Sequence, residues 1–158
     1  NNKNNLVQLP ANLDFPKSSL TEQFMLALQL IGGNNPPPFI QMEHSGYDTH
    51  ANQLVRHRNL LSQLSKGITT FRESLKYFPH RPVVTILITS EFGRRLSENG
   101  SGGTDHGNAS IAFLIGDKLY KPFIGNYPSL ARLDSRGDLI SSLFPPDLYQ
   151  LAINSITR

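Results

Sequence analysis

The chain has 158 residues, enough for one domain with a hydrophobic core, and it contains no cysteine. The absence of cysteine excludes disulfides, thiolate nucleophiles and cysteine-based zinc sites, so a metal must be bound by histidine, carboxylate or carbonyl groups. The net charge of +3 is small, the basic residues are scattered, and no apolar run reaches the roughly 20 residues of a membrane span, which argues against nucleic-acid and membrane-spanning proteins.

The amino-terminal residues are polar and rich in asparagine, and the chain does not begin with methionine. We therefore expect a fragment of a longer protein, in which residues 1–158 form a single α/β domain. Residues 1–17 are predicted to be an irregular lead-in, because two prolines interrupt any periodicity. The segment Ser19 to Ile31 predicts a helix that is apolar on nearly all sides and therefore buried. A short strand is predicted from Phe39 to Glu43.

A long amphipathic helix is predicted from about Ala51 to Phe78. Its apolar residues keep the three-four spacing of a single face, which we expect to be buried against a sheet. Gly67 is the weak point of this helix, because glycine is unfavourable in a helix interior. The apolar face consists of Leu54, Leu61, Leu64, Ile68, Phe71, Leu75 and Phe78.

Two strands and a last helix are predicted in the second half of the chain. The β-branched run from Val83 to Thr89 has almost no alternation, which is typical of a central strand covered on both faces. A further strand is predicted from Ser110 to Ile115, and a helix from Pro146 to Ile156. The order of helices and strands favours an α/β fold with a largely parallel sheet and helices on both faces. In such folds, ligands bind at the carboxyl ends of the strands.

A first cluster of metal-binding residue types lies in residues 43–50, between the first predicted strand and the long helix. Asp48 and His50 lie where the helix begins, and their carboxylate and imidazole groups suit zinc, manganese or iron. In the alternative interpretation, Asp48 or Thr49 caps the helix and His44 is an ordinary loop histidine.

Two more clusters follow the next predicted strand. Glu91 comes directly after it, where an unpaired buried carboxylate would be costly, so we expect a cation beside it. That cation is either a metal ion or one of the two arginines Arg94 and Arg95. Asp105 and His106 lie in a glycine-flanked loop, for which the alternative is a solvent-exposed hairpin.

The three clusters occupy consecutive connections of the predicted sheet. Because the carboxyl ends of parallel strands meet at one edge, we expect the clusters to form a shared metal site. Its candidate residues are Asp48, His50, Glu91, Asp105 and His106.

Three segments, SGYDTH at 45–50, SEFGR at 90–94 and GTDHG at 103–107, resemble the exported bacterial family called domain of unknown function 1501. The resemblance also takes in residues 15–16 and 125–128, so it covers nearly the whole chain. That family resembles the alkaline phosphatase and sulfatase superfamily, whose members hold one or two metals at the strand ends of a three-layer α/β/α sandwich. The resemblance implies a protein that is periplasmic or otherwise exported, by the twin-arginine route.

The resemblance also implies roles for individual residues. Asp48 and His50 resemble the pair that opens the superfamily's first metal site, and His106 resembles its late histidine. Glu91 falls where the superfamily has the aspartate of an Asp-His pair for a second metal, and Phe92 replaces the histidine of that pair. Aligning residues 105–106 with the pair instead would place it after a glycine-rich turn rather than at a strand end.

The activity that the resemblance implies is metal-dependent hydrolysis of phosphate or sulfate esters, with a small anionic ester as substrate. Zinc or manganese is the expected divalent metal, which would polarise the ester oxygen and stabilise charge on the attacking or leaving oxygen. Arg94 would contact the anion, and Asp105 would hold an imidazole ligand in place. The expected metal ligands are Asp48, His50, Glu91 and His106.

The superfamily's nucleophile lies upstream of these motifs, and no segment of this chain matches it. We therefore expect either that a missing amino-terminal part supplies it, or that the protein is a non-catalytic binding module of the cell envelope on a degenerate hydrolase frame. The loss of the paired histidine at Phe92 favours the binding module. A purely structural protein, in which arginine alone neutralises Glu91, is the third hypothesis.

Overall fold

The computed structural model describes residues 9–119 and 123–156. Residues 1–8 of the predicted lead-in lie outside the described residues, and its remaining part is irregular as predicted. A short 3₁₀ turn, Leu75–Tyr77, directly follows the second helix. Within the described ranges the helices are α1 (Ser19–Ile31), α2 (Gln53–Ser74) and α3 (Pro145–Ile156), and the strands are β1 (Ile86–Ile88), β2 (Gly93–Arg94), β3 (His106–Gly107) and β4 (Phe113–Ile115).

The chain groups into two compact units, and the assignment of residues 1–158 to one domain stays a prediction. The first, which we call the helical unit, comprises the residues up to Asp48 together with Leu54–Pro82. Its centre is the ring of Phe24, which lies 5.2 Å from the ring of Phe71 and stacks on Phe15 at 5.8 Å, centroid to centroid. The buried apolar side chains of this unit are Leu20, Phe24, Ala27, Leu28, Ile68, Phe71 and Phe78.

Both long helices of this unit bury less surface than their sequences predict. The prediction that α1 is buried on nearly all sides is wrong, because Leu26 and Leu30 on its outer face are exposed. The apolar face of α2 is buried only towards its carboxyl end, whereas Leu54 and Leu61 nearer its start are 72% and 50% exposed.

The predicted sheet for α2 to pack against does not form, and two of the buried residues of α2 meet the ring of Phe24 on α1 instead. Phe71 contacts the ring of Phe24 on α1. A Cβ atom added to Gly67 would lie 2.7 Å from Cε2 of Phe24, so glycine is what allows the ring to approach the backbone of α2. The predicted weak point of the helix is therefore a position of close contact with α1.

The second unit, which we call the strand unit, comprises Thr49–Gln53 and the chain from Val83 onward. In it β1 pairs antiparallel with β4, with Leu87 opposite Leu114. Helix α3 contacts β1, and the hydroxyls of Thr85 and Ser155 are 2.9 Å apart. Strands β2 and β3 form a separate antiparallel pair.

The predicted three-layer α/β/α sandwich with a largely parallel sheet is wrong. In the described ranges, both sheets have two short antiparallel strands. The run from Val83 to Thr89 contributes only the three residues of β1, and these are half-buried rather than covered on both faces. The chain between β1 and β4 contains the β2–β3 pair and loops, because an antiparallel pair requires no crossover helix.

The strand predicted from Phe39 to Glu43 does not form. The backbone of Glu43 instead pairs with the side-chain amide of Gln23 on α1, which donates to the Glu43 carbonyl at 2.8 Å and accepts from its N–H at 2.8 Å. A side chain thus satisfies the groups that a neighbouring strand would have paired. No helix among the described residues has both the length and the apolar character needed to cross a membrane.

Candidate metal centre

A glycine-rich turn at residues 99–103 of the strand unit contacts the segment that carries His50. The backbone N–H groups of Asn52 and Gln53 donate to the carbonyls of Ser101 and Gly102 at 3.1 and 3.0 Å. These bonds satisfy donors at the start of α2 that have no partner inside the helix. The helix begins at Gln53, so neither of the two predicted capping residues, Asp48 and Thr49, lies at the position directly before it.

The turn approaches the segment that carries His50 very closely. A Cβ atom added to Gly103 would lie 2.7 Å from the carbonyl carbon and oxygen of His50. The side chain of Gln53 accepts a hydrogen bond from the hydroxyl of Thr104 at 3.0 Å. Only glycine at position 103 permits this approach, because the obstacle is backbone rather than a movable side chain.

Three metal-binding side chains converge beside this turn. Each of Asp48, His50 and His106 offers one ligand atom, and these atoms all lie within 4.8 Å of one another. All three side chains are exposed. Asp48 directly precedes the Thr49–Gln53 segment of the strand unit, and His106 begins β3.

The imidazole of His50 is oriented by a carboxylate on the neighbouring loop. Its Nδ1 lies 3.4 Å from Oδ1 of Asp105. The hydrogen bond from the Asn99 amide, and to a lesser degree that from His50, lowers the pKa of the Asp105 carboxyl. An ionised carboxylate only accepts hydrogen bonds, so this contact favours the neutral tautomer protonated at Nδ1, in which Nε2 is the metal-binding nitrogen.

Aromatic stacking orients the second imidazole. The ring of His106 lies 4.0 Å from that of Phe92, with an angle of 11° between their planes, and 4.9 Å from that of His50. The guanidinium of Arg94 lies 5.0 Å from the centroid of the same Phe92 ring. The pairing of β2 with β3 places Arg94 opposite His106, which explains why these groups share one surface.

The structure brings together three of the four predicted ligands, and Asp105 contacts one of them. Glu91 is exposed and does not belong to the group. The expectation that its carboxylate is buried is wrong, so water solvates the charge and no neighbouring cation is required. Within the described ranges Glu91 forms no ion pair with Arg94 or Arg95.

The two arginines have structural contacts of their own. Arg94 donates from its guanidinium to the carbonyl of Thr104, which ties β2 to the loop ahead of His106. Arg95 lies 3.4 Å from the buried carboxylate of Asp138, and its backbone N–H donates to the carbonyl of Asp105 at 2.9 Å. The role of Arg94 as an anion contact stays a prediction.

Sequence reasoning missed Asn99, whose side chain bonds to four other residues of the turn and the site. Its position at the start of a glycine-rich turn was a usable signal, because asparagine side chains often bond to the backbone of such turns. The partners 49 and 6 residues away could not be inferred from that local pattern.

The chain belongs to the family described as protein of unknown function (DUF1501), whose model matches residues 8–135. This range includes all three segments that carry the resemblance in the sequence, and it confirms the predicted family. No curated protein and no solved structure matches the chain. The relation to alkaline phosphatases and sulfatases, and the export route, stay predictions.

Proposed function

We propose that the protein binds one divalent transition-metal ion through Asp48, His50 and His106. The observation that carries the proposal is the convergence of their three ligand atoms within 4.8 Å. One carboxylate and two imidazoles form a donor set that suits zinc, manganese and iron. The contact between His50 and Asp105 adds the carboxylate partner that metal-binding histidines commonly have.

We further propose that the bound ion serves hydrolysis of a small phosphate or sulfate ester. Three protein ligands leave coordination positions open to water and substrate, as in catalytic rather than structural metal sites. The exposure of all three side chains gives a small anionic ester access to those positions. A bound ion would supply Lewis-acid polarisation of the ester oxygen and charge stabilisation.

A binding module without catalysis is the second candidate. Phe92 stacks on His106, and the guanidinium of Arg94 lies over the Phe92 ring. The position expected to hold a second metal-binding histidine therefore supports the first site instead. Arg94 is also engaged with the Thr104 carbonyl. These contacts favour a single metal, with Arg94 held by contacts to the protein.

Calorimetric titration of the demetallated protein with zinc and with manganese tests the metal site. We expect His50→Ala and His106→Ala each to weaken binding by at least about tenfold, because each removes one of three ligands. Binding should also weaken as the pH is lowered, since a protonated imidazole cannot coordinate a metal. His80→Ala, at an exposed turn, is the matched control and should bind as the wild type does.

Absence of binding by the wild type, or binding indifferent to both substitutions, would exclude the proposed site. Glu91→Gln is informative in the same titration, because a tenfold loss would restore Glu91 as a ligand. Hydrolysis of aryl phosphate and aryl sulfate esters by the metal-loaded full-length protein then separates the two candidates. Activity that disappears in His50→Ala supports the hydrolase, and metal binding without such activity supports the binding module.

A further inference from the structure

The side chain of Asn99 connects the glycine-rich turn to the backbone of His50 and to Asp105, whose carboxylate contacts the His50 ring. Its Nδ2 group donates to the backbone carbonyl of His50 at 3.0 Å and to Oδ1 of Asp105 at 3.1 Å. Its Oδ1 accepts from the backbone N–H groups of Ser101 at 2.9 Å and Gly103 at 3.2 Å. An amide side chain has two N–H donors and one oxygen with two lone pairs, so every hydrogen-bonding position of Asn99 is used.

The oxygen and the nitrogen of this amide contact different parts of the structure. The bonds to Oδ1 remain within the turn and are those of an ordinary asparagine turn, which holds the local backbone. The bonds from Nδ2 leave the turn and reach the backbone of His50 and the carboxylate that contacts its ring. The second pair therefore links the turn to other segments, which the local turn geometry does not explain.

We propose that Asn99 is a positioning residue for His50. It holds the backbone of His50 in place and directs Oδ1 of Asp105 towards Nδ1 of the imidazole, which leaves Nε2 available to bind the metal. The proposal rests on the proposed metal site and adds a residue that contacts no metal. In this proposal the turn at residues 99–103 reverses the chain and also determines the geometry of the site.

Asn99→Asp distinguishes the role of the amide oxygen from that of the amide nitrogen. Aspartate has the same shape and keeps an acceptor oxygen for the N–H groups of Ser101 and Gly103, so the turn is retained. Its second oxygen replaces the Nδ2 donor and faces the acceptors on His50 and Asp105, where it repels both. Ser101→Ala is the matched control, because only the backbone N–H of Ser101 contacts Asn99.

The first measurement is ¹⁵N NMR of the His50 ring in the metal-free protein, at a pH where the imidazole is neutral. The wild type should show predominantly the tautomer protonated at Nδ1. Asn99→Asp should shift the ring towards a mixture of tautomers, and Ser101→Ala should give the wild-type spectrum. Identical spectra for the wild type and Asn99→Asp, or a wild type protonated mainly at Nε2, would overturn the proposal.

The second measurement is zinc affinity, with far-UV circular dichroism as a check that the fold is retained. Asn99→Asp should bind zinc about tenfold more weakly than the wild type, in the range seen when the partner of a metal-binding histidine is lost. Wild-type affinity in Asn99→Asp would overturn the positioning role while leaving the metal site intact. If the wild type binds no zinc, the metal site fails, and the NMR result still decides whether Asn99 orients His50.

Discussion

The helical unit and the strand unit are stabilised by different interactions. Among the described residues, every buried apolar side chain that forms a core belongs to the helical unit. The strand unit buries the polar side chains of Thr49, Asp138 and Ser155. Apolar packing therefore forms the centre of the first unit, whereas hydrogen bonds join the loops at residues 49–53 and 99–105 in the second.

This difference explains where the candidate chemistry lies. A packed core tolerates few unpaired polar groups, whereas loops held by backbone hydrogen bonds can present exposed imidazole and carboxylate groups in fixed positions. The turn at residues 99–103 does this for His50 and Asp105. Substitutions in the apolar core of the helical unit should therefore change the free energy of unfolding, and those in the turn should change metal binding.

The largest effect is expected at Phe24, which is 1% exposed and contacts Phe15 and Phe71. Phe24→Ala should lower the free energy of unfolding by about 3–5 kcal/mol, because it removes a buried ring and leaves a cavity. Urea denaturation measures this value. Leu26→Ala, at a position that is 55% exposed on the same helix, should change it by less than about 0.5 kcal/mol. Similar losses in both variants would contradict the assigned core.

In the strand unit, Gly103→Ala should weaken zinc binding by about tenfold, or about 1.4 kcal/mol. The added Cβ would lie 2.7 Å from the carbonyl of His50, so the turn and the ligand segment must separate. Gly100→Ala is the control, because nothing lies within 4 Å of a Cβ atom at that position. Equal affinities of the two variants in a calorimetric titration would show that this close approach does not set the geometry of the site.

Gly67→Ala should have two opposing effects on the free energy of unfolding. Alanine is favoured over glycine in a helix by about 1 kcal/mol, but the added Cβ would meet the buried ring of Phe24 at 2.7 Å. Overpacking of this kind costs about 1–3 kcal/mol, so we expect a net loss of about 1 kcal/mol in thermal or urea unfolding. Ser65→Ala, exposed on the same helix, gains the propensity without the clash and should be neutral or slightly stabilising. A stabilised Gly67→Ala would refute the tight contact.

The smallest effect concerns His44 in the helical unit, whose Nδ1 lies 3.0 Å from the hydroxyl of Tyr47. Partial burial lowers the pKa of His44, and a hydrogen bond with Gln63 opposes this shift. The unfolded chain therefore binds a proton more readily, so stability should fall as the pH drops below the ordinary histidine value of about 6.5.

His44→Gln should reduce this pH dependence of the unfolding free energy, measured by urea denaturation between about pH 5 and pH 8. His80→Gln, at an exposed turn, provides the comparison and should keep the wild-type pH dependence. If His44→Gln has the same pH dependence as the wild type, burial of His44 makes no measurable contribution.

The sequence by itself determined the helices, the family and the local segments of the site. Helix α1 has the predicted limits, Ser19–Ile31, and α2 and α3 differ from their predictions by a few residues at their ends. Helical hydrogen bonds and side-chain contacts join residues three or four apart, so the signal is local. The pairs at 48–50 and 105–106 were likewise visible as short motifs.

Only the tertiary structure decided how the strands pair and which residues meet. The three residues of β1 carry no information about strand direction, and their antiparallel partner β4 lies more than twenty residues further along the chain. Local sequence likewise did not indicate that Glu91 lies outside the ligand group or that Asn99 contacts His50. Such contacts join distant parts of the chain, and no local periodicity encodes them, because the partner is selected by the packing of the whole unit.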